Sequence, residues 1–494
     1  MQSVDLKIIC DVEVKGMSNV TPGSARLRIE SLLDAGSFVE IGSLITARNT
    51  DFNMTEKKAP SDGVITGYGV IDGSLVYVYS QDASVLSGTI GEMHAKKIVN
   101  LYHMAMKTGA PVIGLLDCAG LRLEEATDAL NAFGEIYMAQ SMASGVIPQL
   151  SAVFGSCGGG MALFPALTDF TFMENTKAAL FVNSPNALAG NIDSECDTAG
   201  AKFQSEETGL IDFQGSEEEI LRNIRLLISY LPSNYEDDEV SELSADDLNR
   251  KCKDIENNIG DTAVLLSQIS DDASFIEIKK DYGKDMVTAF IKLDGITVGA
   301  VANRSEIYDP EGNLSETLET VLSVRGAGKA AEFVKFCDAF SIPLLTITNV
   351  TGYKASRCSE KNIARACAAL AHAFADATTP KVNVITGKAY GSAYLTMNSK
   401  PLGADMVFAW PEAEIGMMDA HMAAKIMYQN SDADTINKKA EEYAALQNHV
   451  VSAAKRGYVD TIIEPEDTRK YLIGAFEMLY TKREYRPDKK HSTV

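Results

Sequence analysis

The turn Gly155-Ser156-Cys157-Gly158-Gly159-Gly160 follows the apolar run Leu150-Ser151-Ala152-Val153-Phe154 and opens a helical stretch at Met161. A second turn, Gly387-Lys388-Ala389-Tyr390-Gly391-Ser392-Ala393, follows another apolar run through Ile385. Outward from these turns the chain matches itself in register. Pro111 pairs with Pro343, Gly120 with Gly352, Pro148 with Pro380 and Gly159 with Gly391, all at one spacing. Nearer each start, Ser37-Phe38-Val39-Glu40-Ile41 recurs as Ser274-Phe275-Ile276-Glu277-Ile278. Asp72-Gly73 and Asp294-Gly295 each lie between apolar runs, which is a hairpin signal. Each half then shows a helix-period stretch and a buried strand, at 95–105 and 111–117 and again at 329–340 and 343–349. Self-similarity held over so many positions marks an internal duplication.

Short apolar strands alternating with helical stretches argue for βαβ units. The fold class is α/β, two copies of one domain with largely parallel sheets covered on both faces. The boundaries fall at 1–235 for the first domain, 236–261 for an acidic linker and 262–494 for the second. Residues 232–261, with Glu236-Asp237-Asp238-Glu239 and few aromatics, read as a solvated linker holding one short helix over 246–255.

Composition narrows the function. The 494 residues allow two to four domains, and 46% hydrophobic with 23% charged residues is ordinary for a globular chain. A net charge of −23 repels nucleic acid and anionic lipid, so neither is an expected partner. No apolar run approaches the roughly 18 residues of a membrane helix, and residues 1–14 lack a signal peptide's apolar centre. A cytoplasmic location is expected. The eight cysteines (Cys10, Cys118, Cys157, Cys196, Cys252, Cys337, Cys358 and Cys367) form no Cys-x-x-Cys pair and read as free thiols. The six histidines show no metal spacing, so no metal is expected; His94 and His103 read as helix-surface or satisfied core residues. There is no Walker loop. Lys107, in Ala105-Met106-Lys107-Thr108, resembles a biotin-attachment site but ends a helical stretch, and reads as a surface lysine. Met417, Met418 and Met422 read as core filling. The basic run 482–491 reads as a solvated tail, or as a phosphate or subunit contact.

Glycines at a strand-to-helix turn let a ligand approach the backbone closely. The first N–H groups of a helix lack internal partners and favour negative charge, so such a turn can hold an oxyanion between two amides. A rival reading is a nucleophile elbow of the form Gly-x-Cys-x-Gly, with Cys157 attacking an ester or thioester. The second copy has Ala389 at that place, so the copies share a backbone shape and not a nucleophile. A third reading, glycines that only permit tight packing, is weakened by the match between copies. Two oxyanion sites without an evident acid, base or metal suit carboxyl transfer between two carbonyl-stabilised anions, one per half.

The chain strongly resembles the carboxyltransferase subunit of biotin-dependent acyl-CoA carboxylases and decarboxylases. That family includes propionyl-CoA carboxylase β and the α subunits of methylmalonyl-CoA and glutaconyl-CoA decarboxylases. The carriers in the first half are ARLRIESLLDAGSFVEIG at 25–42, DGVITGYG at 62–69, GEMHAKK at 91–97, MKTGAPVIG at 106–114 and PALTDFTFM at 165–173. In the second they are FVKFCDAFSIP at 333–343, KAYGSAY at 388–394 and AWPEAEI at 409–415.

The resemblance implies two tandem crotonase-like ββα spiral domains in a homo-oligomeric trimer of dimers. Each active site would join the first domain of one subunit to the second of another, with acyl-CoA on the first and biotin on the second. The biotin would arrive on a biotin carboxyl carrier protein, with a biotin carboxylase or membrane decarboxylase subunits as further partners. Gly159 and Gly160 would hold the thioester oxygen, and Ser392 and Ala393 the ureido oxygen of biotin. Ala119, Gly120, Gly158, Gly352, Tyr353, Gly391, Tyr394 and Leu395 fall at substrate-binding positions, Leu395 where the family tunes acyl size; a short unbranched or α-methyl acyl group fits it. The chain departs from the family pattern in three places. Asp117-Cys118-Ala119-Gly120-Leu121-Arg122 stands for Asp-Ser-Gly-Gly-Ala-Arg, Asn349-Val350-Thr351-Gly352-Tyr353 for Asp-Val-Pro-Gly-Phe with Lys354-Ala355-Ser356-Arg357-Cys358 in place of the glycine-rich stretch after it, and Ser392 for a glycine. Two further readings stand beside the transferase: a biotin-independent hydratase or isomerase using Glu124 or Glu125, and a non-catalytic scaffold of a carboxylase complex.

Overall fold

The computed structural model describes residues 25–48, 52, 54, 57–189, 197–237 and 244–487. Residues 1–14, Cys10, Cys196, linker residues 238–243 and the end of the basic run with His491 lie outside the described residues. The chain divides into two units. One holds the residues up to Gln204 and Phe213–Asn234; the other holds Ser205–Asp212 and the residues from Tyr235 on.

In the first unit β1 (Val39–Ile41) pairs antiparallel with β2 (Val64–Ile71). Asp72 and Gly73 then take positive φ, 48° and 87°, and turn the chain into β3 (Ser74–Gln81). Two successive positive φ values make the hairpin turn whose twist matches the strands, as the Asp-Gly pair predicts. From β3 the sheet is parallel: β4 (Val112–Cys118), β5 (Gln149–Gly158), β6 (Phe170–Glu174) and β8 (Phe213–Gly215), with β7 (Ala179–Phe181) beside the end of β5. The helix Glu92–Thr108 joins β3 to β4, and Ala126–Ala143 joins β4 to β5. Val112 through Leu116 are fully buried, as strands covered on both faces require.

The second unit repeats this plan with β9 (Phe275–Ile278), β10 (Met286–Leu293) and β11 (Ile296–Asn303). After the small hairpin β12 (Glu306–Tyr308) and β13 (Leu314–Thr317) come β14 (Leu344–Val350), β15 (Lys381–Tyr390), β16 (Met406–Ala409), β17 (Glu414–Gly416) and β18 (Thr461–Ile462). Asp294 and Gly295 repeat the positive-φ turn, at 52° and 75°. The helices Val324–Ala339 and Ile363–Asp376 serve the crossovers. The duplication reaches single residues. The β4–β5 ladder shifts register just before Cys118↔Cys157, and the β14–β15 ladder just before Val350↔Ala389, the matching place. The β12–β13 hairpin lengthens the second copy's crossover and has no counterpart after β3.

Three sequence readings are corrected here. The segment 246–255 is not a helix: it runs through turns into a 3₁₀ turn at Ile255–Asn258, and Cys252 and Ile255 are buried in the second unit's core. Nor is this stretch merely solvated. Asp246 accepts from Arg250 at 3.0 Å and pairs with Arg469 at 3.4 Å. Met417 and Met422 are not core filling, being 72% and 57% exposed, while Met418 is half-buried. The helix Ala420–Met427 buries the small Ala423 and Ala424 instead, which turns its larger residues outward. The described part of the basic run is tied down too: Lys482 pairs with Asp405 and donates to Thr379 O, and Arg486 donates to Asp376 O. Lys107 is an exposed lysine in the last turn of its helix, as read. No helix among the described residues is long and apolar enough to cross a membrane.

Arg469 has no exposed side-chain surface and donates to Ile269 O at 2.8 Å and to Asp271 at 2.6 Å. Removing one partner of a buried ion pair costs about 3–5 kcal/mol because the other charge stays buried. Arg469→Met is therefore expected to lower the urea midpoint of the second unit clearly; an unchanged midpoint would show that Asp271 finds water when the arginine leaves.

Candidate active site

In each sheet the predicted glycine turn lies at the carboxyl end of a parallel strand, β5 in the first unit and β15 in the second. In the first unit the Asp117 amide lies past the last pair of the β3–β4 ladder, and Gln81 Oε1, from the end of β3, accepts it at 3.2 Å. Gln81 Nε2 lies 3.2 Å from His94 Nε2, and His94 Nδ1 lies 2.9 Å from Asp62 O. Gly155 must be glycine: a Cβ there would stand 2.0 Å from Asp117 Oδ1. Gly158 packs against the Phe181 ring, and Gly159 takes φ +63°, a region that suits glycine. Gly160 is exposed, and its carbonyl accepts from Tyr137 Oη at 2.7 Å. Across from this turn Gly120, at φ +110°, accepts from Ile90 N at 2.9 Å, while Ala119 is exposed.

The second unit builds the same frame with different side chains. Asn303 Oδ1 accepts the Asn349 amide at 3.1 Å, and Asn349 Oδ1 accepts from Lys388 N at 3.0 Å. A Cβ on Gly387 would stand 2.7 Å from Asn349 Oδ1, repeating the Gly155 constraint. Gly391 takes φ +59° and starts the helix Gly391–Thr396, which leaves Ser392 and Leu395 exposed and Ala393 and Tyr394 buried. Gly352 accepts from Leu322 N at 2.9 Å, beside the exposed Tyr353. Tyr390 donates to Glu414.

This geometry closes two readings. Cys157 is fully buried; burial pushes its thiol well above the ordinary range, and its Sγ lies 3.4 Å from Met161 O, so it presents no nucleophile. Glu125 is buried with both oxygens engaged, by Arg122 at 2.7 Å and by Glu92 N at 2.7 Å, and Glu124 pairs with Lys57. Neither offers the free carboxylate that a hydratase needs.

Several supporting residues escaped the sequence reading: Gln81, Asp62, Arg122 and Asn303 become meaningful only once strands and loops converge. His94 proves to be a satisfied core histidine, and His103 is exposed. Lys97 and Lys329 carried a signal, since they occupy matching positions on two otherwise apolar helix faces. Both are buried and tie down backbone. Lys97 donates to Ser61 O at 3.1 Å, and Lys329 to Tyr282 O at 2.8 Å. Burial lowers both ammonium groups to about 8.

Paired turns of this shape on duplicated sheets define a carboxyltransferase frame. The chain matches the carboxyl transferase domain over residues 23–494 and belongs to that family. It is 38% identical to the methylmalonyl-CoA decarboxylase subunit alpha of Propionigenium modestum over 95% of this chain and 93% of that one. It is 40% identical to the propionyl-CoA carboxylase carboxyltransferase subunit of Haloferax mediterranei, with the same coverage. Its fold superposes, with a TM-score of 0.88 and 36% identity, on transcarboxylase 12S, a hexamer solved with methylmalonyl-coenzyme A and methylmalonic acid bound. That match covers 95% of this chain and 92% of the other.

Burial, with the Arg122 and Lys97 charges nearby, lowers His94 from 6.5 to about 3. Between those values the unfolded chain holds a proton that the folded chain lacks. Stability therefore falls as pH drops from 6.5 toward 3, with His94 adding up to about 1.4 kcal/mol per pH unit. His94→Gln, which keeps an amide near Gln81, is expected to flatten this limb in urea titrations at stepped pH. Equal slopes in the two proteins would remove His94 from the acid sensitivity.

Proposed function

We propose that this chain is the carboxyltransferase subunit that moves a carboxyl group between biotin, borne by a separate carrier protein, and a short-chain acyl-CoA of propionyl or methylmalonyl size. The observation that carries the reading is the matched kink and turn in both units, with Gly159 and Gly391 at nearly the same positive φ, 63° and 59°. In the first unit the Gly159 and Gly160 amides take the thioester oxygen as it becomes an enolate oxygen. Placing fixed donors where charge develops, and not where the ground state sits, is what accelerates such a step. Ala119, Gly120 and Gly158 line this side.

In the second unit the Ser392 and Ala393 amides take the ureido oxygen, with Gly352, Tyr353, Gly391 and Tyr394 around it and Leu395 toward the acyl group. The residues fit such a ring: the turn offers backbone donors at an exposed strand end, and the Ser392 side chain also faces outward. Bound biotin supplies the carbon dioxide and the base. The chain's own residues orient the two partners and hold the two oxygens.

The propionyl-CoA carboxylase and methylmalonyl-CoA decarboxylase relatives support the acyl-CoA class, and the hexameric transcarboxylase supports a homo-oligomeric trimer of dimers. A biotin carboxyl carrier protein, with a biotin carboxylase or membrane decarboxylase subunits, completes the proposed complex, and the cytoplasm is its proposed location. The decarboxylase relative motivates the second reading, the same transfer run in reverse.

The test is carboxyl loss from malonyl-, methylmalonyl- or glutaconyl-CoA with and without free biotin. Biotin-dependent loss is expected with one of them. Gly160→Pro and Ser392→Pro each delete one proposed donor, the latter at a helix position that accepts proline. Each is expected to lower the rate by about 10²–10³-fold. No biotin-dependent loss, with acyl-CoA still binding, would turn the reading to a non-catalytic scaffold.

A further inference from the structure

We propose that the buried triad Asp62–Arg122–Glu125 is a positioning device for the acyl-CoA side, dispensable for folding and present to hold the Gly120 loop in place. The proposal rests on the reading that the first unit binds acyl-CoA. The Arg122 side chain is 1% exposed, and its Nη1 lies 2.6 Å from Asp62 and 2.7 Å from Glu125. Its Nη2 donates to Thr89 O at 2.7 Å. The outer oxygens of both acids turn to the start of the helix Glu92–Thr108. Asp62 accepts from His94 N and Glu125 from Glu92 N, each at 2.7 Å. Two carboxylates thus share one guanidinium, and the positive end of the helix offsets the remaining charge. Gly91 leaves the room: a Cβ there would stand 2.4 Å from both Arg122 Nη1 and Glu125 Oε1.

The arginine pins the loop twice. Its side chain holds residue 89 and its amide donates to Ile90 O at 3.0 Å, while Ile90 N donates to Gly120 O at 2.9 Å.

The duplication supplies an internal control. The matching helix Val324–Ala339 is capped by Ser323, which accepts from Gly326 N at 2.9 Å and donates to Asp285 at 2.9 Å, so a single carboxylate and no buried arginine stands at this helix start. The residues at the places of Arg122 and Glu125 are Lys354 and Arg357, both exposed. Yet the backbone clamp is the same: Leu322 N donates to Gly352 O and Lys354 N to Leu322 O, both at 2.9 Å. The loop therefore reaches the same backbone clamp without a buried arginine between two carboxylates. Burying three charges carries a desolvation cost that well-packed neutral residues avoid. Its presence in one copy alone points to a demand of that copy's ligand, namely a loop that stays in register while the thioester is held across from it.

The full-length chain tests this in the carboxyl-loss assay, with acyl-CoA and biotin varied separately. The variants are Asp62→Asn/Arg122→Met/Glu125→Gln together, and Arg122→Lys, which keeps the charge but not the fork. The triple variant is expected to keep the parent's melting temperature within a few degrees and its KM for biotin, while kcat/KM for acyl-CoA falls about 10–100-fold. Arg122→Lys is expected to fall between the two. A triple variant with the parent's kcat/KM would show that the triad does not position the site, and one that fails to fold would show that it is a folding requirement. Equal losses toward biotin and acyl-CoA would also overturn the proposal. A parent without biotin-dependent carboxyl loss would instead overturn the carboxyltransferase reading.

Discussion

The structure turns on two backbone amides that the sheets cannot satisfy. Past the last pairs of the β3–β4 and β11–β14 ladders, the amides of Asp117 and Asn349 have no strand partner. Gln81 and Asn303, from the end of the preceding strand, accept them. A buried amide without a partner carries a penalty comparable to a lost hydrogen bond. The side-chain acceptors are thus what let β4 and β14 run on beyond the ends of β3 and β11. The next strand runs on past its register shift and turns at a positive-φ glycine, with Gly160 and Ser392 exposed just beyond. Gly155 and Gly387 complete the arrangement by leaving space for the Asp117 and Asn349 side chains.

Most of this plan was legible in the sequence because it is local or repeated. The Asp-Gly hairpins, the buried parallel strands and the glycine turns each follow from the residues that form them, and the self-match placed them in two sheets. What escaped depends on partners far along the chain. Asp246 looked solvated because its partner, Arg469, belongs to the helix Thr468–Leu479. The exposed Met422 looked like core because hydrophobicity does not say which face of a short helix turns inward. Arg122 and Asp62 lie in separate motifs, and neither hints that the other neutralises it.

The two units show how one backbone serves two chemistries. The strand kink and the glycine turn are shared. The groups behind them differ: a histidine-backed support with a buried arginine between two carboxylates under the first turn, and one built on Asn303 and on Ser323 with Asp285 under the second. Duplication preserved the hydrogen-bond positions while the side chains filling them diverged.

The β12–β13 hairpin interrupts that symmetry with a two-stranded sheet that pairs with neither larger sheet. Isolated strands offer open rows of amides and carbonyls to any other chain, a starting point for unwanted association. This hairpin and its flanks carry Glu306, Asp309, Glu311, Glu316 and Glu319. Like charges brought edge to edge repel, so the added segment protects itself against stacking. In a crowded cell, where many copies fold at once, the second unit can keep its extra strands without seeding aggregates.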